Sequence, residues 1–153
     1  MKVAEFIRPE SVVIDLPAKS KSRVLQTMSA KASEALGIEE GPILQALLDR
    51  EKLGSTGIGE GIAIPHTRVP GVVNPFGMLA RLSKAIDFDA VDDIPVDIVF
   101  LLLMPGESRK DHLNALACVA RQLRSHEVLK NIRSATSADE LYAAIILQAN
   151  SPE

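Results

Sequence analysis

Apolar residues along this chain recur with two periods, one near 3.6 residues and one of two, and stretches of each kind alternate. "SVVIDL" over 11–16 is short, β-branched and closed by Pro17, which predicts a strand. In "AKSKSRVLQTMSAKASEALG", Val24, Leu25, Met28, Ala32 and Leu36 keep helical spacing up to a natural stop at Gly37. "GPILQALLDREKLG" predicts a second helix, with Pro42 at its first position and Gly54 just past its end. Ile43, Leu44, Leu47 and Leu48 make its apolar face. A glycine-rich stretch follows, then the short apolar piece "IAIP". In "FGMLARLSKAIDF" the period is two: Met78, Ala80 and Leu82 share one side, Leu79, Arg81 and Ser83 the other. "VDIVFLLLM" is apolar throughout, as expected of a central strand covered on both faces.

The last third is helical. Leu113, Leu116, Ala117, Ala120 and Leu123 are expected to form the buried stripe of a helix capped by Ser108, with Asp111 three residues on. "EVLKNIRS" is a short helix. "SADELYAAIILQ" is another, capped by Ser137 with Glu140 reaching back. Strands interleaved with helices predict an α/β fold with helices packed on one sheet. No linker or internal repeat divides the chain, and its 153 residues suit one domain. The core is expected over about residues 8–148, with only the tail "QANSPE" frayed.

Composition narrows the function. Hydrophobic residues make up 46% and charged residues 24%, as in a soluble globular protein. The 17 Lys and Arg against 20 Asp and Glu give a formal charge of −3, so no global basic field serves nucleic acid. An acidic partner would need a local patch. The single cysteine, Cys118, leaves neither a disulfide framework nor a thiolate zinc cluster, and its place among small apolar helix residues marks it as core. "MKVAEFIRPE" is no secretory signal, and the longest apolar run, "IVFLLLM", is far shorter than the ~20 residues of a membrane helix. A cytoplasmic setting without membrane insertion is expected.

The candidate chemistry lies in "GSTGIGEGIAIPHTRVPG", which holds four glycines before His66. The glycines either form an anion-binding nest or make a tight turn. The loop is no P-loop, since no Gly-Lys-Ser/Thr follows, and it does not open a helix as a dinucleotide fingerprint must. His112 and His126 lack the close helical spacing of a zinc helix, so no metal is expected; His126, in a polar loop, reads as surface. No G-x-S-x-G elbow supplies a hydrolase serine. His66 remains as a nucleophile in its own right. A neutral imidazole attacks phosphorus near neutral pH, because its ordinary pKa is about 6.5. Such a site needs hydroxyls, amides and a cation for the phosphoryl group, and it must stay open to another protein. Ser55 and Thr56 are candidate donors at the start of the loop, and Arg50 sits one turn before the end of the preceding helix. Arg50 also suits plain neutralisation of that helix C-terminus, as Arg68 suits plain surface charge. His112 lies near a helix N-terminus, where the dipole favours an anion, or simply packs at the helix edge. Pro65 stiffens the chain beside His66 and keeps Ile64 extended.

"LDREKLGSTGIGEGIAIPH" resembles the phosphorylation-site segment of the fructose/mannitol type of enzyme IIA in the bacterial phosphoenolpyruvate-dependent phosphotransferase system. "VVIDLPAKSKSRVLQTMSAKA" is similar to the start of its nitrogen-regulatory subgroup. "AIDFDAVDDIPVDIVFLLLMP", "DHLNALACVARQLR" and "ADELYAAI" resemble its later half. The resemblance implies a mixed sheet flanked by helices, His66 phosphorylated on the ring nitrogen remote from the backbone, and Arg50 and His112 in the site surround. It implies a histidine phosphocarrier protein as donor and no metal, nucleotide or other cofactor at the site. "HTRV" departs from the Gly-Lys pair that follows the histidine in many relatives, which bears on the choice of partner. In the nitrogen-regulatory subgroup, phosphorylation state governs targets such as potassium-transport and sensor proteins. The alternatives are a sugar-specific component that passes phosphate to a IIB domain, and a binding module whose histidine is never phosphorylated. For docking, an apolar rim of Ile58, Ile62, Ile64, Val69 and Val72 is expected, beside cations at Arg50, Arg68, Arg109 and Lys110.

Overall fold

The computed structural model describes residues 1–107 and 109–148. Ser108 and the side chains of residues 109–112 lie outside the described residues, and with them fall the expected Ser108–Asp111 cap and the positions of the Arg109, Lys110 and His112 side chains. After a short 3-10 turn at Val3–Glu5 come strand β1 (Ile7–Leu16) and helices α1 (Lys21–Leu36) and α2 (Glu40–Lys52). Three short strands follow, β2 (Gly57–Gly59), β3 (Ile62–Ala63) and β4 (His66–Arg68). Two long strands, β5 (Phe76–Ile86) and β6 (Val96–Met104), precede α3 (Arg109–Gln122), α4 (His126–Ser134) and α5 (Ala138–Ile146).

The six strands form one mixed sheet in the order β1-β5-β6-β3-β2, with β4 also paired to β6. β5 and β6 run antiparallel, whereas β1 on β5 and both β3 and β4 on β6 run parallel. Alternation along β6 supplies two cores. Ile98, Phe100, Leu102 and Met104 pack with Ala115, Val119, Leu123, Ile132 and Leu141 from the last three helices. Val99, Leu101 and Leu103 pack with Val24, Leu25, Met28, Ile43 and Leu47 from α1 and α2. Helices thus cover both faces, and β6 is the apolar central strand its sequence predicts. Met78, Ala80 and Leu82 of β5 join the α1/α2 side while Leu79 joins the other, as the period of two requires. Cys118 is buried, and its thiol donates to the Met1 carbonyl at 3.3 Å.

Several local expectations need correcting. β1 begins at Ile7, four residues earlier than expected, and so contains Pro9. It lies at the sheet edge, where proline is tolerated, and its register on β5 is irregular between Ile7 and Val12, the stretch that holds Pro9. Helix α2 begins at Glu40, so Pro42 is its third residue and not its first. Amides of the first helical turn have no intrahelical partner, so proline is tolerated there too. The buried stripe of α3 is Ala115, Cys118, Val119 and Leu123, with Leu116 and Ala120 beside it. Leu113 is 66% exposed and Ala117 is exposed, so the helix is rotated from the expected phase. The rotation turns Cys118 toward the N-terminal turn, which α3 packs against. Ser137 caps α5 by accepting from the Glu140 amide at 3.1 Å, but Glu140 reaches Thr136, one residue before the cap.

Candidate active site

The glycine stretch folds as a two-residue hairpin between β2 and β3. Its central residues, Glu60 and Gly61, have φ of 58° and 82°, the positive values that a mirror-image hairpin turn demands. Gly61 is also packed too closely for a side chain, since a Cβ there would lie 2.8 Å from the Arg133 guanidinium and 2.9 Å from the Asp97 carboxylate. Arg133 donates to the Glu60 carbonyl at 2.7 Å and pairs with Asp97 at 3.0 Å, which ties the hairpin tip to α4. Of the two sequence readings, the glycines follow the tight turn.

From the hairpin the chain runs along the edge of β6 without a break in register: Ile62 opposite Ile98, Ala63 opposite Val99, His66 opposite Leu102 and Arg68 opposite Met104. Pro65 interrupts the ladder only on the donor side. Its carbonyl still accepts from the Leu102 amide at 2.9 Å. This pairing explains why the expected apolar rim is absent. Ile62, Ile64, Val69 and Val72 are each at most 6% exposed: the two isoleucines pack into the core beneath the last three helices, and the two valines into the core beneath α1 and α2. Ile64 is therefore a core residue and not a docking residue. Ile58, on the short edge strand, is 45% exposed, and Arg68 is half-buried.

His66 itself is half-buried at the start of β4. Its Nδ1 lies 2.7 Å from the carbonyl oxygen of Ile64. A carbonyl only accepts, so this contact puts the proton of the neutral ring on Nδ1 and the in-plane lone pair on Nε2. Burial is the main cause holding the His66 pKa below its usual 6.5; the Ile64 carbonyl opposes it, the Arg50 charge adds to it, and Glu51 opposes it. The ring is therefore neutral at neutral pH, the state in which nitrogen is nucleophilic.

Arg50 sits in the last turn of α2 and donates to the Gly54 carbonyl at 2.9 Å. It thus closes the helix end and also acts on His66 through its charge. The two hydroxyls are committed to other bonds. Ser55 donates to the Phe88 carbonyl at 2.6 Å and accepts from the Gly57 amide at 3.0 Å. Thr56, which is buried, donates its hydroxyl to the Glu51 carboxylate. In this arrangement both shape the loop and neither presents a hydroxyl proton to a phosphoryl group, contrary to the sequence expectation. His112 falls in the first turn of α3; its side chain lies outside the described residues. His126 is exposed at the start of α4, the surface position its sequence context predicts.

Sequence reasoning missed Glu51 and Lys21. The Glu51 carboxylate accepts from the Thr56 amide at 3.2 Å and from Lys21 Nζ at 2.9 Å. Lys21 also pairs with Asp89 at 3.2 Å and lies 5.1 Å from the centre of the Phe88 ring. Burial alone would depress the Lys21 pKa, but its bonds to Glu51 and Asp89 outweigh that and hold it above its ordinary value. Glu51 directly follows Arg50 in the sequence, which was a usable signal. The Lys21 contact, thirty residues away, was not.

The His66 shift has a measurable consequence. Between its lowered pKa and 6.5 the unfolded chain binds the proton more strongly, so stability rises with pH through that window and falls on acidification. A ring titration followed by NMR should give a midpoint below 6.5, moving upward in Arg50→Gln as a neighbouring cation is removed. A midpoint at or above 6.5 in the parent would contradict this account of the site.

The family model described as "Phosphoenolpyruvate-dependent sugar phosphotransferase system, EIIA 2" matches residues 5–148. A nitrogen regulatory protein of Bradyrhizobium diazoefficiens is 42% identical over 147 residues, 96% of each chain. A fructose-specific EIIABC component of Bacillus subtilis is 30% identical over 142 residues, which is 92% of this chain but 22% of that protein. The crystal structure of nitrogen regulatory protein IIA-Ntr from Neisseria meningitidis gives a TM-score of 0.87 at 31% identity, covering 94% of this chain and 98% of that one. The chain belongs to the EIIA type-2 family of the phosphoenolpyruvate-dependent sugar phosphotransferase system.

Proposed function

We propose that this protein is a phosphohistidine relay of the nitrogen-regulatory kind, which takes a phosphoryl group on His66 Nε2 from a histidine phosphocarrier protein and acts on target proteins according to its phosphorylation state. The observation that carries the reading is the His66 Nδ1 contact with the Ile64 carbonyl, 2.7 Å long, in a niche that holds the ring neutral. As Nε2 attacks, the bond between phosphorus and the donor's nitrogen breaks and its electron pair returns to the donor imidazole. Nδ1 keeps its proton throughout, and the Ile64 carbonyl stabilises the positive charge that the phosphorylated ring acquires. Arg50 supplies positive charge near the incoming group, and His112 serves as a further hydrogen-bonding partner for it. Ile58, which is exposed, and Arg68, which is half-buried, are accessible enough to serve as docking residues for the donor.

The regulatory role rests on similarity to nitrogen regulatory proteins, at 42% identity, against 30% for the fructose-specific component. Regulated targets are proteins such as potassium transporters and sensor proteins, recognised by direct contact. The test is reconstitution with purified donor cascade and labelled phosphoenolpyruvate, followed by capture of partners on the phosphorylated and unphosphorylated forms. One acid-labile phosphoryl group per chain, with partners that distinguish the two forms, is the expected result. A chain that takes no label from a competent cascade is a binding module. A chain whose label passes on to a sugar-specific IIB domain in preference to regulating a captured target is a sugar-transport component.

A further inference from the structure

The phosphoryl acceptor does not stand on its own loop geometry alone. Its proton-bearing nitrogen is held by a backbone carbonyl, and that carbonyl's residue is held in turn. Ile64 donates its amide to the Thr56 carbonyl at 2.9 Å. Thr56 gives both its amide and its hydroxyl to the Glu51 carboxylate. Lys21 braces the far side of that carboxylate at 2.9 Å, and Asp89 and Phe88 hold Lys21 in place. The chain of bonds therefore runs Lys21, Glu51, Thr56, Ile64, His66. We propose that Glu51 is a positioning residue for His66, fixing the orientation and tautomer of the ring through Thr56 and Ile64 without touching the phosphoryl group.

Three observations separate this role from an ordinary surface ion pair. The Glu51 side chain is only 7% exposed, whereas pairs worth little are those held in solvent. A carboxylate taken out of water is destabilising unless its oxygens are satisfied, and here both oxygens are bonded, to Lys21, to the Thr56 amide and to the Thr56 hydroxyl. Its partner Thr56 is 3% exposed and lies directly beside Ile64 in the fold, so any movement of Glu51 is passed to the carbonyl that receives the His66 proton. Second-layer partners of this kind set which imidazole nitrogen carries the proton. The same carboxylate holds the Thr56 amide four residues beyond the end of α2, so one group both ties down the loop that leaves the helix and aims the nucleophile.

The inference rests on His66 as the acceptor for its kinetic consequence, but not for its structural one. The experiment records ring nitrogen shifts of His66 by ¹⁵N NMR in the unphosphorylated parent, Glu51→Ala, Glu51→Gln and Thr56→Val, and the rate of phosphoryl transfer from a phosphorylated histidine phosphocarrier protein. In Glu51→Ala the Nδ1–H tautomer should lose its dominance. The maximal transfer rate should fall about 10–100-fold while KM for the donor changes less than about threefold, as for a misaimed group with an intact docking surface. Glu51→Gln keeps an oxygen for Thr56 and should recover most of the tautomer and the rate. Thr56→Val removes only the hydroxyl bond and should shift both in the same direction by less, which keeps the test available if Glu51→Ala does not fold. Parent-like tautomer and transfer rate in the folded fraction of Glu51→Ala or Thr56→Val, with stability alone reduced, would overturn the proposal. If the parent accepts no phosphoryl group, the functional reading fails, and the tautomer data still decide the role of Glu51.

Discussion

Replacing His66 by Ala is expected to abolish phosphoryl acceptance while leaving the protein folded. The group removed is the nucleophile, and losses of that kind reach about 10⁶-fold in rate. The structural cost is small by comparison. His66 is half-buried and its ring contributes the contact to the Ile64 carbonyl, worth about 0.5–1.5 kcal/mol net. Circular dichroism and a urea midpoint near that of the parent should therefore accompany complete loss of label. Labelling that persists in His66→Ala would move the acceptor elsewhere, to His112 or His126.

Gly61→Val should act through the fold and disable the same site from a distance. Gly61 has φ of 82°, and a valine there adopts a backbone that costs about 1–2 kcal/mol. Its Cβ would also enter space held by Arg133 at 2.8 Å and Asp97 at 2.9 Å. Overpacking of that kind costs a further ~1–3 kcal/mol, and the Arg133 bond to the Glu60 carbonyl is lost as the guanidinium moves. The expected loss is about 2–5 kcal/mol by urea denaturation. Gly61→Ala should fall between parent and Val. Because β3 follows the hairpin directly and β4 shares its register on β6, the folded fraction should also accept phosphoryl groups more slowly. A Val variant as stable as the parent would mean that the hairpin tip tolerates a different turn, and that Arg133 does not fix it.

Much of this architecture was legible from period alone. The continuous apolar run of β6 announced a strand buried on both faces, and the alternation of Met78, Leu79, Ala80 and Leu82 sorted β5 between two cores. Gly37 marked the end of α1, where it takes a left-handed φ of 68°. Pattern gave less where tertiary packing decides. The phase of α3 depends on the N-terminal turn it packs against, which no local period records, so the period puts Leu113 inside where the fold puts Ala115. The start of β1 at Ile7 is not legible in the sequence, because a strand through Pro9 is tolerated only at an edge and the edge is a property of the whole sheet. At the site, His66 was identifiable because it closes a short, distinctive stretch. Ile64 reads as rim because "IAIP" gives no sign that its first two residues pair with β6 and that the Ile64 amide bonds back to Thr56, which together bury it. Ser55 and Thr56 look like phosphate donors from their hydroxyls alone, but the partners that occupy those hydroxyls, Phe88 and Glu51, lie 33 and 5 residues away.

The central claim is that Nε2 of His66 is the atom that bears the phosphoryl group while Nδ1 stays bonded to the Ile64 carbonyl. Phosphorylating ¹⁵N-labelled protein with a competent donor cascade and recording long-range proton–nitrogen correlations of the histidine rings tests it most directly. The account predicts a perturbed Nε2 resonance for His66, a proton retained on its Nδ1, and His112 and His126 free of phosphoryl groups. A phosphoryl group on Nδ1 of His66, or on either of the other two rings, would contradict it.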